Sequence, residues 1–236
     1  MQSMLRAIYP SACMGCGELT AADFALCGGC WRDTPFLGGA LCGLCARPLP
    51  GEAEPGLVCD DCHAQPPPWG AGRAVLRYRD GARRLVLALK HGDRTDLARP
   101  MGGWMARAAA DLVRPGMLVV PVPLHRGRLW RRRYNQSALL AARLARELRI
   151  DRCPDALWRR RPTPSLSGDA GARHAALAGA IAPHPRRGAR MRGRPVLLVD
   201  DVLTSGATLA ACARAARAAG AEEICVIALA RAAPDA

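Results

Sequence analysis

Apolar residues run unbroken in a few short stretches of this chain, and amphipathic stretches lie between them. Residues 196–199 (Val-Leu-Leu-Val) are apolar without alternation, which predicts a strand buried on both faces. Asp200 and Asp201 follow at its C-terminal end. After Thr204 and Ser205, an Ala-rich run from Gly206 to Gly220 predicts a helix. Residues 117–122 and 223–230 predict two more buried strands, the second closing the chain. Residues 74–79 predict a strand that Gly81 breaks. A helix is expected over 83–90, where Leu85, Val86 and Leu89 share a face. Residues 96–113 predict a helix interrupted near 100–103. Over 136–150, Leu140, Leu144 and Leu148 form one stripe, with Arg143, Arg146, Glu147 and Arg149 towards solvent. Residues 156–160 predict a short strand, and 162–195 hold no sustained period. Strands alternating with helices predict an α/β fold, a mostly parallel sheet with helices on both faces, whose ligand sits at the strand C-terminal ends.

The first 65 residues break this pattern. Eight of the eleven cysteines form Cys-x-x-Cys pairs: Cys13/Cys16, Cys27/Cys30, Cys42/Cys45 and Cys59/Cys62. In a reducing compartment such pairs read as zinc knuckles, two of which complete a tetrahedron. A weak repeat favours sequential pairing, with Cys13, Cys16, Cys27 and Cys30 on one Zn²⁺ and Cys42, Cys45, Cys59 and Cys62 on the other. A crossed, RING-like pairing stays open, as does loss of one metal. The run ending in Cys62-His63 also matches a c-type haem attachment pattern, a chemistry of exported proteins. Trp31, Phe36 and Leu37 offer apolar surface for docking. The expected organisation is a double zinc ribbon over 1–65, a Pro/Gly linker over 66–72, and an α/β body over 73–236.

Composition sharpens the picture. The net charge is +14, and Lys90 is the single lysine among 34 basic residues, which invites a specific role for it. Residues 1–68 are formally −4, so the body carries the whole excess of positive charge. A basic body suits a polyanion, whether a small phosphate ester or nucleic acid. No run of about 18 apolar residues exists, so no membrane span is expected. The first twelve residues lack the apolar core of a signal peptide, and a cytoplasmic protein is expected. No Gly-Lys-Ser/Thr is present, which excludes a Walker loop.

The chemistry gathers around 196–208. A strand, a loop of small and hydroxyl residues and a helix N-terminus make an anion cradle. Asp200 and Asp201 would repel phosphate, so they suit a ribose diol or a hydrated Mg²⁺. All thirteen positions resemble the phosphoribosyl-pyrophosphate (PRPP) signature of the type I phosphoribosyltransferases. That resemblance implies that Asp200 and Asp201 contact the ribose hydroxyls. It implies that Thr204, Ser205, Gly206 and Thr208 hold the 5′-phosphate, with Mg²⁺ arriving on PRPP. It also implies that Pro123, Leu124, His125 and Arg126 form a pyrophosphate loop, often with a strained peptide. Arg128, Arg131, Arg132 and Arg133 continue the positive run.

The order of paired cysteines, Leu89-Lys90, Pro-Val-Pro-Leu-His, an Arg-rich turn ending in Tyr134-Asn135-Gln136, and the terminal signature resembles the ComF (competence protein F, GntX-like) family. Arg133 stands where that family usually has Gly. The place of the family's flexible loop falls on Thr163-Pro164-Ser165 and the stretch to His174, where Leu166 replaces the usual Gln and no Asn follows Arg173. Lys90, Asn135, Gln136, Thr163 and Arg173 are candidate substrate contacts. The resemblance implies transfer of phosphoribosyl to an acceptor that no motif identifies, with no catalytic residue assignable, and a link to DNA uptake with single-stranded DNA or competence proteins as partners. The rival class is a non-catalytic module that senses PRPP or a nucleotide, or handles single-stranded DNA; Trp130 and Tyr134 are the aromatics within the Arg run.

Overall fold

The computed structural model describes residues 10–162, 177 and 179–232. Two short helices, α1 (Gly28–Arg32) and α2 (Asp60–Ala64), lie in the cysteine-rich part. The chain continues through β1 (Ala71–Arg77), α3 (Asp80–His91), α4 (Ala98–Ala108) and β2 (Leu118–Pro121). Then come α5 (Arg126–Arg132), α6 (Gln136–Leu148), β3 (Asp151–Arg152), β4 (Leu157–Arg159) and β5 (Ile181–Pro183). It ends with β6 (Val196–Leu203), α7 (Ala207–Ala218) and β7 (Ile224–Arg231). Five strands form one parallel sheet in the order β1-β7-β6-β2-β3, as the alternation of elements predicts.

Period two explains why β6 reads as a continuous apolar run. Val196 and Leu198 face one core, Leu197 and Val199 the other, and all four are fully buried. One core lies under α7 and the antiparallel pair β4-β5, with Trp69 and Ala46 of the N-terminal part in it. The other lies under α3, α4 and α6, with Met14.

Four local expectations are corrected. Helix α4 is continuous through Pro100, which sits in its first turn, where a missing N–H costs nothing. Gly102 marks a close approach, not a break: a Cβ there would lie 2.4 Å from Cβ of Arg143 on α6. Strand β6 runs on through both aspartates to Leu203, pairing Asp200 with Ala228 on β7. Residues 126–132 form a helix instead of an open turn, and β5 appears within the region read as irregular. A three-residue strand has no readable period.

The cysteine-rich part is built into the body. Residues 35–37 lie along the outer edge of β1: Leu37 N–H donates to Val75 O at 2.8 Å, and Arg77 N–H to Pro35 O at 2.8 Å. Trp31 stacks on Phe36, whose ring meets Trp104 of α4 edge-on. Gly72 N–H donates to Gly43 O, and no side chain fits at Gly72, where a Cβ would lie 2.1 Å from Leu44 O. Among the described residues no helix is long and apolar enough to cross a membrane.

Candidate functional site

The cysteines gather in two sequential quartets. Cys13, Cys16, Cys27 and Cys30 form one, Cys42, Cys45, Cys59 and Cys62 the other, with the sulfurs of each within 4.8 Å of one another. An ion held at about 2.3 Å from four tetrahedral sulfurs separates them by about 3.8 Å. Cys16–Cys27 and Cys45–Cys59 are each 3.7 Å apart, so both quartets fit structural Zn²⁺. Backbone N–H groups turn inward on the sulfurs, as when Cys27 N–H donates to Cys13 Sγ at 3.2 Å. The second quartet is fully buried and the first is partly open.

The C-terminal ends of β6 and β2 lie side by side, and the signature residues emerge there. Gly206 holds φ +78°, a left-handed turn, as N-cap of α7. A Cβ on it would lie 3.2 Å from the Trp69 ring, so the loop lies directly against that indole. The first N–H groups of α7 have no partners within the helix, and Thr204, Ser205 and Thr208 lie in the loop and first turn there.

Asp200 and Asp201 sit one residue apart in different surroundings. Asp201 is 9% exposed and pairs with Lys90 of α3, Nζ to Oδ2 at 3.2 Å. Asp200 Oδ1 accepts from Ser137 Oγ at 3.0 Å and from the Asp201 N–H at 2.9 Å. Burial, then the neighbouring Asp201 charge, pushes the Asp200 carboxyl up to about 7, against the pull of the Asp201 N–H, Lys90 and Ser137. Two arginines and a histidine near the pair are also shifted. Arg132 is held below the usual range by burial, with Arg128 and Arg131 adding to it and Asp201 opposing. Arg159 of β4 is lowered by burial and by Arg128, while Cys212 and Asp200 oppose. His91 is lowered by desolvation and by Arg132, Lys90 and Arg131. The two carboxylates therefore lie beside Lys90 and feel the charges of Arg132 and Arg159.

The loop after β2 carries Pro123, Leu124, His125 and Arg126. None of its residues has a positive φ. His125 caps α5: its Nδ1 accepts from Gly127 N–H at 3.2 Å. Asn135 braces this loop. Its Nδ2 donates to Val122 O at 3.0 Å, and its Oδ1 accepts from the N–H groups of Ser137 and Ala138 at the start of α6. The Tyr134 hydroxyl donates to Leu89 O at 2.7 Å, tying the Arg-rich segment to the turn before Lys90. Arg133 keeps φ +65°, the left-handed conformation that glycine would favour.

The structure thus brings Lys90, Asp200 and Asp201 together. It gives Asn135 a bracing role within the protein, and buries Gln136 to 1% exposure. Thr163, Arg173 and the stretch 163–174 lie outside the described residues. Sequence reasoning missed Ser137, one residue past its motif, and Trp69, read as linker. It also missed Arg159 and Arg231, whose signal was a charge at the end of an apolar strand.

Residues 4–63 match the double zinc ribbon domain, and residues 135–235 the phosphoribosyl transferase domain. A hypoxanthine phosphoribosyltransferase of Staphylococcus aureus superposes with a TM-score of 0.35 at 13% identity, over 60% of this chain and 68% of that one, a likeness too slight to bear on the reading. The DNA utilization protein YhgH of Escherichia coli K12 is 31% identical over 209 residues, 85% of this chain and 88% of that protein. Competence protein F of Haemophilus influenzae is 32% identical over 227 residues, which are 93% of this chain and 96% of that protein. Likeness across both the cysteine quartets and the sheet-end site, over nearly the whole of each protein, places this chain in the ComF (competence protein F) family.

Proposed function

We propose that the sheet-end site binds PRPP with Mg²⁺ and passes its phosphoribosyl group to an acceptor not yet identified. The observation that carries this reading is the Asp200-Asp201 pair, held beside Lys90 and within the influence of Arg132 and Arg159, next to a small-residue loop at a helix N-terminus. One anion-binding surface and two acceptor carboxylates match a molecule with phosphates at both ends and a diol between.

In this reading the N–H groups and hydroxyls of 204–208 hold the 5′-phosphate. Asp200 and Asp201 accept from the two ribose hydroxyls. Mg²⁺ supplies charge neutralisation for the pyrophosphate. His125 and Arg126 face the pyrophosphate from the loop that Asn135 braces. As the bond from C1 to the pyrophosphate oxygen breaks, the acceptor's lone pair forms the new bond at C1. The carboxylates are placed where positive character develops on the ribose.

The names of the relatives point to use of this chemistry in the uptake or utilisation of DNA, in the cytoplasm, where thiols stay reduced. A second reading is carried by Trp130, which is 89% exposed on the Arg-rich helix α5. An exposed indole among arginines suits stacking on single-stranded DNA, without catalysis. Titration calorimetry with PRPP and Mg²⁺, followed by pyrophosphate release across a panel of nucleobases and amines, separates the two. Binding with release for one acceptor supports transfer; binding without release for any supports a sensor; no binding overturns the PRPP reading.

A further inference from the structure

Arg231, the last residue of β7, is 6% exposed, and its guanidinium spans two parts of the protein. On one side Nε donates to the carbonyl of Cys45, a ligand of the second quartet, at 2.8 Å. On the other side Nη1 donates to the carbonyls of Leu203, at 3.0 Å, and Thr204, at 2.7 Å, and also to Ala232 O. Leu203 and Thr204 are the backbone from which the phosphate cradle starts. A second bridge runs in parallel: Trp69 Nε1 donates to Leu44 O at 2.8 Å, and the same indole lies against Gly206 at the other end of the loop. The cradle thus rests at both ends on the Leu44-Cys45 knuckle.

A buried guanidinium needs a counter-charge, and among the described residues no carboxylate forms an ion pair with Arg231. Four thiolates around Zn²⁺ carry a net −2. A loaded second ribbon sets this negative charge beside the Arg231 guanidinium, which reaches it through the Cys45 carbonyl.

We infer that Arg231 is a positioning residue through which zinc in the second ribbon sets the shape, and hence the affinity, of the phosphate cradle. This rests on the reading of 204–208 as that cradle. Coupling between two sites is reciprocal. Zinc loss should therefore weaken the ligand, and the ligand should slow zinc loss.

The test uses the full chain and two readouts. The first is the rate of zinc release to a chromogenic chelator, with Cys13→Ser as background so that the remaining phase belongs to the second ribbon. The second is PRPP–Mg²⁺ binding by calorimetry. Arg231→Met is expected to speed second-site release and to weaken PRPP by about ten-fold, within the usual range of coupling. Arg231→Lys keeps the charge but cannot reach both carbonyl sets at once. It should release zinc nearly as slowly as the unmodified protein, while the slowing by PRPP disappears; this variant also covers the case in which the Met variant does not fold. Equal release rates in all three proteins, or PRPP affinity unchanged to within two-fold in both variants, overturn the inference. Failure of the unmodified protein to bind PRPP overturns the reading of the cradle instead, and the ligand-free release rates still decide whether Arg231 holds the ribbon.

Discussion

Lys90, the single lysine of the chain, places its ammonium 3.2 Å from Asp201, the second carboxylate of the signature, and both side chains are largely buried. The pair joins α3 to the end of β6 and leaves Asp200, one residue back, with the cost of burial next to a like charge. A ligand that takes both carboxylates must rearrange this pair. Asp201→Asn should therefore abolish PRPP binding in calorimetry. The melting temperature of the ligand-free protein should change little, because loss of the ion pair is offset by relief of Asp200. A collapse in stability would show the carboxylates to be structural.

Asp200 also predicts a pH dependence. Its folded-state pKa, about 7, lies above the ordinary 3.8, so the folded protein binds a proton that the unfolded chain releases. Its contribution to stability is complete below about pH 4 and is lost as the pH rises through 7. Thermal melts of the ligand-free protein should show this decline, and Asp200→Asn should remove it. Identical pH profiles for the two proteins would contradict the assignment.

At Arg133 the backbone holds φ +65° with a β-carbon present. Arg133→Gly should stabilise the protein by about 1 kcal/mol, offset in part by the added freedom of the unfolded chain. For a chain of this size that is a rise of roughly 2–4 °C in Tm. A fall in Tm would mean that the Arg133 side chain supplies more than its conformation costs.

Two metal sites predict a zinc ratio near two in protein purified without chelator, and near one for Cys13→Ser. That variant should loosen only the first knuckle pair, since the quartets share no ligand. A ratio near zero in the unmodified protein removes the metal from the account.

If α5 carries single-stranded DNA, Trp130→Ala should leave Tm unchanged, because the indole is 89% exposed, yet weaken oligonucleotide binding. The logarithm of affinity should fall linearly with log salt, at roughly 0.7 per phosphate. Replacing Arg131 and Arg132 by Ala should lower that slope by about 1.4 if each meets one phosphate. Since Arg132 also faces Asp201, saturating PRPP–Mg²⁺ should compete with the oligonucleotide. Affinity independent of salt would end this reading.

Legibility in the sequence followed the range of the interactions. The buried run before Asp200, the eight paired cysteines and the stripe along α6 depend on neighbours a few residues away, and their signals are strong. Cys45 and Arg231 are 186 residues apart, and their contact leaves no mark beyond one arginine at the end of an apolar strand. Trp69 follows three prolines and reads as linker, because its partners, Leu44 and Gly206, are distant in the chain. Arg133 carries a different lesson. The usual glycine is missing, yet the left-handed turn persists, because Arg133 must join the end of α5 to Tyr134 and Asn135, which are anchored on Leu89 and Val122.

The antiparallel seam between residues 35–37 and β1 bears on any attempt to study the α/β body alone. β1 is an outermost strand of the sheet, and those three residues, with Gly43 bonded to Gly72, occupy its free side. Cutting the chain after the cysteines would leave a row of unpaired N–H and C=O groups open to a strand from another molecule. The truncated body should self-associate through that edge, and its light scattering would report sheet growth between copies in place of the properties of the isolated body.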